Sequence, residues 1–281
     1  MRSDPRPHER TINATAPAKT EAPTKTDAQQ KRLSPMVSRN SLLVAGRVFR
    51  ELRRDVRTMF LFTLSPTFVM ILLKGMMHNN PAAFNKYGLI VAGLFPTAPA
   101  FLFAAFAITR DRNTRTLEHL LSTPVAKLDV IIGYIIAFTL PAIVQVSLSL
   151  SVTFGLLGLN IAGQWWQIGL LALVNCILGV AIGLFVTNFA RNEFQLTKIL
   201  AMTGVPHLML SGFFRPPDRM PGWMAFFAHF APWRYGVGLL AEFQRHASPT
   251  SAAWFNLGVI IFIVLLLFSI SAFTVLDRRT A

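Results

Sequence analysis

Residues 110–124 read RDRNTRTLEHLLSTP and form a charged island between two long apolar runs. Leu117, Leu120 and Leu121 are spaced i, i+3 and i+4, which predicts a short helix with one apolar stripe. Pro124 ends this helix, because the residue before a proline resists helical geometry. The stripe has nothing within the island to pack against, so we expect it to meet a soluble partner at the membrane surface.

The composition is typical of a protein whose solvent is mostly lipid. Of the 281 residues, 53% are hydrophobic and 14% are charged, which excludes an ordinary soluble domain. No Asp, Glu, Lys or Arg occurs between Asp129 and Arg191. A stretch of this length exceeds the roughly 20 residues of one spanning helix and suffices for two. The apolar runs predict six spanning helices, near residues 58–77, 87–109, 130–156, 165–187, 197–213 and 252–276.

The distribution of Lys and Arg predicts which side of the membrane each loop faces. With six crossings, both ends of the chain lie on one side, together with the basic loops after the second and fourth spans. Because cytoplasmic loops carry the excess of Lys and Arg, we expect both termini in the cytoplasm and the protein in the plasma (inner) membrane. The net charge of +14 is mainly this asymmetry and is weak evidence for nucleic acid binding.

The first 57 residues divide into a tail and a helix. Residues 1–36 are polar and rich in Pro, Thr, Ala and Lys, which predicts a disordered basic cytoplasmic tail. Residues 37–57 predict an interfacial amphipathic helix, whose apolar face lies in the headgroup boundary or packs on neighbouring protein. Five arginines on the opposite face would meet lipid phosphates. They are Arg47, Arg50, Arg53, Arg54 and Arg57.

Few side chains in the predicted spans can carry chemistry. The sequence has no G-x-x-x-x-G-K-[ST] loop, no H-E-x-x-H motif and no paired Cys or His at metal spacing. We therefore expect no enzymatic activity, no bound metal and no cofactor on this chain. Gln145 and Asn175 lie at membrane depth and either hydrogen-bond between helices or contact a substrate. Gly179 and Gly183 form a G-x-x-x-G pair that permits close helix approach.

The region of about residues 212–250, before the last predicted span, is rich in proline and aromatic residues. Four aromatic residues recur at i, i+3, i+4 and i+7, which predicts a short amphipathic helix at the outer leaflet. Their rings are either anchors at headgroup level or a lid over the exit path of a lipid-like substrate. The four are Trp223, Phe226, Phe227 and Phe230.

Three ordered motifs resemble those of permease subunits of type-2 ATP-binding-cassette (ABC) exporters, of the drug-resistance kind. The first is RDRNTRTLEHLLSTPV at 110–125, similar to the family's pattern of Arg-Glu-Arg, Gly-Thr, Glu, Leu-Leu and Thr-Pro, with Arg115 in the place of the glycine. The others are RRDVRT at 53–58 and LSGFFRPPDRMPGW at 210–223. The resemblance and the apolar stripe together assign ATPase coupling to Arg110, Asp111, Arg112, Thr116, Leu117, Glu118, Leu120, Leu121, Thr123 and Pro124.

The resemblance implies an all-α membrane protein with six transmembrane helices in a domain at 58–281. An N-terminal interfacial amphipathic helix precedes the spans, a cytoplasmic coupling helix lies at about 110–124, and outer re-entrant helices precede the last span. It also implies an ABC ATPase subunit in two copies, which would hold ATP and Mg. A second permease chain, identical or related, completes the assembly, and the coupling helix docks in a groove of the ATPase.

The function implied by the resemblance is ATP-driven export of a hydrophobic or amphiphilic substrate, such as a drug-like molecule, a lipid or a glycolipid. The nearest alternative is a permease for a polysaccharide or glycoconjugate. From other classes, the chain could be a membrane scaffold or a membrane-embedded lipid enzyme. The absence of an acid or a His pair within the predicted spans argues against the enzyme.

Overall fold

The structure is a computed structural model that describes residues 39–114, 127–190, 192–246 and 248–277. The predicted tail at 1–36 lies outside these residues. Within them every regular element is a helix, and five stretches are long and apolar enough to cross a membrane. The all-helical, multi-pass membrane fold is therefore confirmed. The five stretches are Val56–Met76, Pro81–Asn113, Leu128–Leu156, Trp165–Val186 and Ser251–Ala272.

The α-helices are numbered here in chain order. They are α1 (Arg39–Arg54), α2 (Val56–Met76), α3 (Pro81–Leu94), α4 (Thr97–Asn113), α5 (Lys127–Leu150), α6 (Trp165–Val186), α7 (Glu193–Leu210), α8 (Gly222–Ala228), α9 (Pro232–Arg245) and α10 (Ser251–Asp277). A π-helical segment, Ser151–Leu156, continues α5, and a 3-10 turn, Pro217–Arg219, precedes α8.

Helix α7 stands where the fifth span is predicted, but it is not among the five apolar stretches. Its 18 residues correspond to about 27 Å of helix, close to the thickness of the hydrocarbon core. Glu193 and Lys198 make its first half polar. Leu196 is its one buried residue. The membrane crossing of α7, and with it the count of six spans, stays a prediction.

The second span is broken into α3 and α4 at Phe95 and Pro96. Proline has no backbone N–H, so the helical hydrogen-bond pattern cannot continue unchanged through this position. Thr97 Oγ1 donates to the Leu94 carbonyl at 2.7 Å. From α6, Asn175 Nδ2 donates to the carbonyl of Gly93 at 2.9 Å. Side chains therefore supply hydrogen bonds where the helix is interrupted.

Helices α4 and α6 pack closely through the predicted G-x-x-x-G pair. A Cβ added at Gly179 would collide with the Thr97 carbonyl, and one added at Gly183 would lie 2.9 Å from the Phe101 carbonyl. The side-chain-free surface of α6 thus lies directly on the backbone of α4. The predicted close approach of helices at these two glycines is confirmed.

Helix α1 packs on α5, so its apolar face lies against protein. Of the two expected locations, the headgroup boundary and neighbouring protein, the structure shows the second. Val44, Val48 and Leu52 are buried there. A Cβ added at Gly133 of α5 would lie 2.6 Å from Val44 Cγ1, so only glycine permits this approach. The expected single helix at 37–57 is wrong at its end, because α1 stops at Arg54 and a new helix follows.

The connections fall at two ends of the bundle. The proximal end carries residues 110–114, 127–129, 187–190 and 192, and the distal end carries 77–80, 157–164, 211–246 and 248–250. At the distal end, Gly163 N donates to the Phe243 carbonyl of α9 at 2.9 Å. The short helices α8 and α9 precede α10, as expected. Their re-entry into the membrane stays a prediction.

Candidate functional site

The residues predicted to couple this chain to an ATPase divide at residue 114. Arg110, Asp111 and Arg112 lie near the end of α4, within the described residues. The other seven fall in segment 115–126, outside the described residues, and the helix predicted there stays a prediction. They are Thr116, Leu117, Glu118, Leu120, Leu121, Thr123 and Pro124.

Asp111 is buried, with only 3% of its surface exposed. Its Oδ2 accepts a hydrogen bond from the hydroxyl of Tyr134 on α5. Its Oδ1 lies 3.5 Å from Nη2 of Arg47 on α1. A buried carboxylate needs a counter-charge and hydrogen-bond donors, and α1 and α5 supply one each. Asp111 therefore joins three helices just before segment 115–126.

A second contact lies beyond the other end of that segment, on α5. Ser41 Oγ on α1 donates to Asp129 Oδ1 on α5 at 2.8 Å. Ser41 is fully buried, and Asp129 lies in the first turn of α5, where a carboxylate is favoured by the helix dipole. Through Arg47 and Ser41, α1 thus contacts residues on both sides of the segment.

Arg112 joins the same junction to α6. Its Nη1 donates to the carbonyl of Thr187 at 2.5 Å, and Thr187 is the C-cap residue of α6. The last carbonyls of a helix lack intrahelical partners and carry partial negative charge, so they favour a guanidinium. The junction before segment 115–126 is therefore attached to α1, α5 and α6.

Arg110 is exposed and lines a cavity of about 280 Å³ between α1, α2, α4 and α7. The cavity combines this guanidinium with acidic side chains from the surrounding helices. The acidic side chains are Glu51, Asp55, Asp111 and Glu193.

Asp55 links this cavity to the start of α2. It is the N-cap of that helix, accepting hydrogen bonds from Thr58 Oγ1 at 2.8 Å and from Thr58 N at 3.2 Å. These hydrogen bonds lower the pKa of the Asp55 carboxyl, and the charges of Arg110 and Arg57 lower it further. Asp55 is therefore ionised at neutral pH and holds the sharp turn between α1 and α2.

The structure divides the five arginines that were expected to meet lipid phosphates. Arg47 instead lies 3.5 Å from both Asp111 and Glu51, within the protein. The other four are exposed, and their contact with lipid stays a prediction. These are Arg50, Arg53, Arg54 and Arg57.

Gln145 and Asn175 are both fully buried, with 0% of their surface exposed. Asn175 donates a hydrogen bond to the Gly93 carbonyl of α3, so it hydrogen-bonds between helices, which was one of the two expected roles. The side-chain amide of Gln145 has no hydrogen-bond partner among the described residues. In this arrangement neither side chain is accessible to a substrate, and their role in a substrate path stays a prediction.

The aromatic residues at the distal end are exposed, as an amphipathic helix at a membrane surface would have them. Trp223, Phe226 and Phe227 lie in α8, and Phe230 follows it. More than half of each side chain's surface is accessible. The ring centroid of Phe226 lies 5.6 Å from that of Phe227 and 5.5 Å from that of Phe230. Such a cluster suits headgroup anchoring, and its action as a lid stays a prediction.

Sequence reasoning missed Ser41, Gly133 and Tyr134, which complete the junction. Tyr134 and Gly133 lie on α5, among apolar residues that otherwise give no hint of a partner. The available signal was a set of polar side chains near the ends of apolar helices, on the same side of the membrane as Asp111. Such groups need partners because an unsatisfied polar group in an apolar environment costs free energy.

The matches to known proteins agree with this fold. The family model for the membrane domain of ABC-2 type transporters matches residues 40–244, from α1 to the end of α9, and includes segment 115–126. This match covers most of the chain. The chain therefore belongs to the ABC-2 type transporter family.

Three relatives are named as permeases of Escherichia coli K12. The chain is 24% identical to "Probable multidrug ABC transporter permease YbhS" over 164 residues, which is 57% of this chain and 44% of that protein. It is 29% identical to "Inner membrane transport permease YhhJ" over 143 residues, 50% of this chain and 38% of that one. It is 19% identical to "Probable multidrug ABC transporter permease YbhR" over 180 residues, which is 63% of this chain and 49% of that protein. The chain thus spans less than half the length of these relatives.

Family membership establishes the chain as a membrane permease component of an ABC transporter. The expected partnership with an ABC ATPase stays a prediction. The family is one of membrane transport components. The expectation that this chain is not an enzyme stays a prediction.

Proposed function

We propose that this chain is the permease subunit of an ATP-driven exporter and that residues 110–124 form its coupling helix. The supporting observation is the pair of contacts on either side of the segment, from Asp111 to Arg47 and from Asp129 to Ser41. Both contacts end on α1. A force applied to the segment would therefore reach α1, α4 and α5 together instead of bending a free loop.

The docking face in this proposal is the stripe of Leu117, Leu120 and Leu121, which would enter a groove on the ATPase. Glu118 would make a polar contact across that interface. ATP and Mg would be held by the ATPase, in two copies, and this chain would supply none of the nucleotide site. Closure of the ATPases on ATP would then move the attached helices as rigid bodies.

The proposed assembly pairs this chain with a second permease chain, identical or related. Only 22% of the residues in the apolar windows of α2 and α10 are buried in the single chain, so these helices offer surfaces for a second chain or for lipid. In the cell, both termini would lie in the cytoplasm and the protein in the inner membrane. The proximal end would then face the ATPases and the distal end the outer leaflet.

The proposed substrate is hydrophobic or amphiphilic, such as a drug-like molecule, a lipid or a glycolipid. The apolar interior supports this class, since the helices α5 and α6 contain no charged residue from Val130 onward. The exposed aromatic cluster on and after α8 also suits an amphiphile leaving at the membrane surface.

Affinity purification of the tagged full-length chain under mild detergent extraction tests the proposal. We expect an ABC ATPase to co-purify with the wild type and its ATP hydrolysis to respond to the permease. Leu120→Asp/Leu121→Asp should abolish this association or its coupling while leaving membrane insertion intact. Asn160→Asp is the control, because Asn160 is exposed in the loop 157–164 at the distal end and lies outside the five apolar stretches. A double variant that still binds the ATPase and still transports would overturn the proposal.

A further inference from the structure

A second cavity, of about 560 Å³, lies at the distal end between α3, α9, the start of α10 and residues 211–217. Its volume falls within the range of about 300–1,000 Å³ that is usual for small-molecule sites. None of the residues assigned to coupling or to the substrate path lines it. It is therefore separate from the site described above.

The charges around this cavity have one sign. Lys86 of α3 and Arg234 and Arg245 of α9 line it, and no Asp or Glu does so among the described residues. Within residues 39–114, 127–190, 192–246 and 248–277, none of these three cations forms an ion pair. The nearby carboxylate of Glu242 is instead engaged by the Thr250 hydroxyl at 2.8 Å.

Arg234 is the central residue, because it lines the cavity, is only partly exposed and forms no ion pair within the described residues. A partly buried guanidinium without a counter-charge is costly, so an anionic ligand in the cavity would stabilise it. The guanidinium presents its donors in a planar fork that matches the oxygens of a phosphate or a carboxylate. The amide side chains of Gln244 and Asn256 also line the cavity and can donate to the same anion.

The remainder of the lining is apolar and aromatic. It therefore suits a hydrocarbon chain that continues from an anionic group bound at Arg234. The apolar residues that matter here are Leu89, Ile90, Phe213, Phe214 and Phe255.

We propose that this cavity binds an anionic amphiphile, with its phosphate or carboxylate at Arg234 and its apolar chain along the aromatic lining. The ligand is either a bilayer lipid that resides there or a molecule of that chemistry in transit. The inference relies on the proposed function only for placing the distal end at the outer leaflet. Binding itself requires neither ATP nor the ATPase.

Native mass spectrometry of the full-length chain in lipid nanodiscs tests the proposal. The nanodiscs contain phosphatidylcholine alone or phosphatidylcholine mixed with phosphatidylglycerol, and the bound lipids are counted. We expect the wild type to retain phosphatidylglycerol in preference to phosphatidylcholine. Arg234→Gln should weaken this retention by about tenfold or more, because a charge-assisted hydrogen bond is lost. Arg234→Lys should keep part of it.

Arg219→Gln is the matched control, since Arg219 is exposed at the same end of the bundle and does not line the cavity. It should retain phosphatidylglycerol as the wild type does. Equal retention of the two lipids by the wild type would overturn the proposal, and this result does not depend on any variant folding. Unchanged retention in Arg234→Gln would overturn it as well.

The source of the ligand is distinguished by adding the ATPase. If ATP turnover depletes phosphatidylglycerol from the site and moves a labelled phosphatidylglycerol between leaflets of proteoliposomes, the site takes cargo. If occupancy is unchanged by ATP, the lipid is resident. Failure to recover an ATPase would count against the proposed function and leave the binding measurement intact, so the two proposals fail separately.

Discussion

Replacement of Asp111 by alanine removes the group that joins α1, α4 and α5 next to segment 115–126. The Tyr134 hydroxyl is buried and would lose its acceptor, at a cost of about 1–3 kcal/mol. The Arg47 side chain is 32% exposed and stays partly hydrated, so the loss of its ion pair adds no more than about 1 kcal/mol. The sum lies between about 1 and 4 kcal/mol of unfolding free energy.

This destabilisation can be measured as a melting temperature of the purified protein in detergent. At roughly 2–4 °C per kcal/mol for a chain of this size, Asp111→Ala should lower Tm by about 2–16 °C. Asp111→Asn keeps an acceptor for Tyr134 and should lower Tm by less. The control is Asp218→Ala, because Asp218 is exposed at the distal end. A Tm for Asp111→Ala equal to that of the wild type would refute the assignment of Asp111 as the joint between these helices.

Two further predictions concern the packing of α1 on α5 and the turn at Asp55 that follows α1. Gly133→Ala places a Cβ 2.6 Å from Val44 Cγ1 and should lower Tm, because overpacking costs about 1–3 kcal/mol. Gly46→Ala is the control and should raise Tm slightly, because nothing lies within 4 Å of its added Cβ and alanine favours the helix. A Tm that rises in Gly133→Ala and falls in Gly46→Ala would contradict the packing of α1 on α5. The folded-state pKa of Asp55 is lowered by Thr58, so its carboxylate stabilises the fold above the ordinary value of 3.8 and loses this effect as the pH falls through the lowered pKa. The Tm advantage of the wild type over Asp55→Ala should therefore shrink in acid, and an advantage that grows in acid would exclude this role.

The spanning helices could be predicted from the sequence because a lipid solvent demands long apolar runs with internally satisfied backbones. Four of the five apolar stretches lie close to predicted spans. The remaining one, Pro81–Asn113, is longer at both ends than its predicted span of 87–109. The G-x-x-x-G pair also correctly predicted a contact between helices, because two glycines one turn apart leave a helix surface without side chains that a second helix can approach closely. Helix α7 was less clear because Glu193 and Lys198 lower its hydropathy.

The partners of the polar residues could not be predicted. A sequence shows that Asp111 is charged but not that it is buried between Arg47 and Tyr134, because these residues come from three helices far apart in the chain. The same applies to Arg47, whose periodic spacing with four other arginines favoured a lipid-facing role. Periodicity identifies the face of a helix, and tertiary packing decides what that face contacts.

The central claim is that residues 110–124 dock on an ATPase, and cysteine cross-linking in native membranes tests it most directly. Cys176 is the only cysteine of the sequence and is fully buried, so a cross-link formed by Leu120→Cys can be assigned to the introduced thiol. The account predicts that a short thiol-to-amine reagent links Leu120→Cys to an ABC ATPase, with a yield that changes with ATP, and that Leu156→Cys at the distal end gives no such product. An efficient reagent that yields no ATPase adduct from Leu120→Cys, or the same adduct from both positions, would contradict the account.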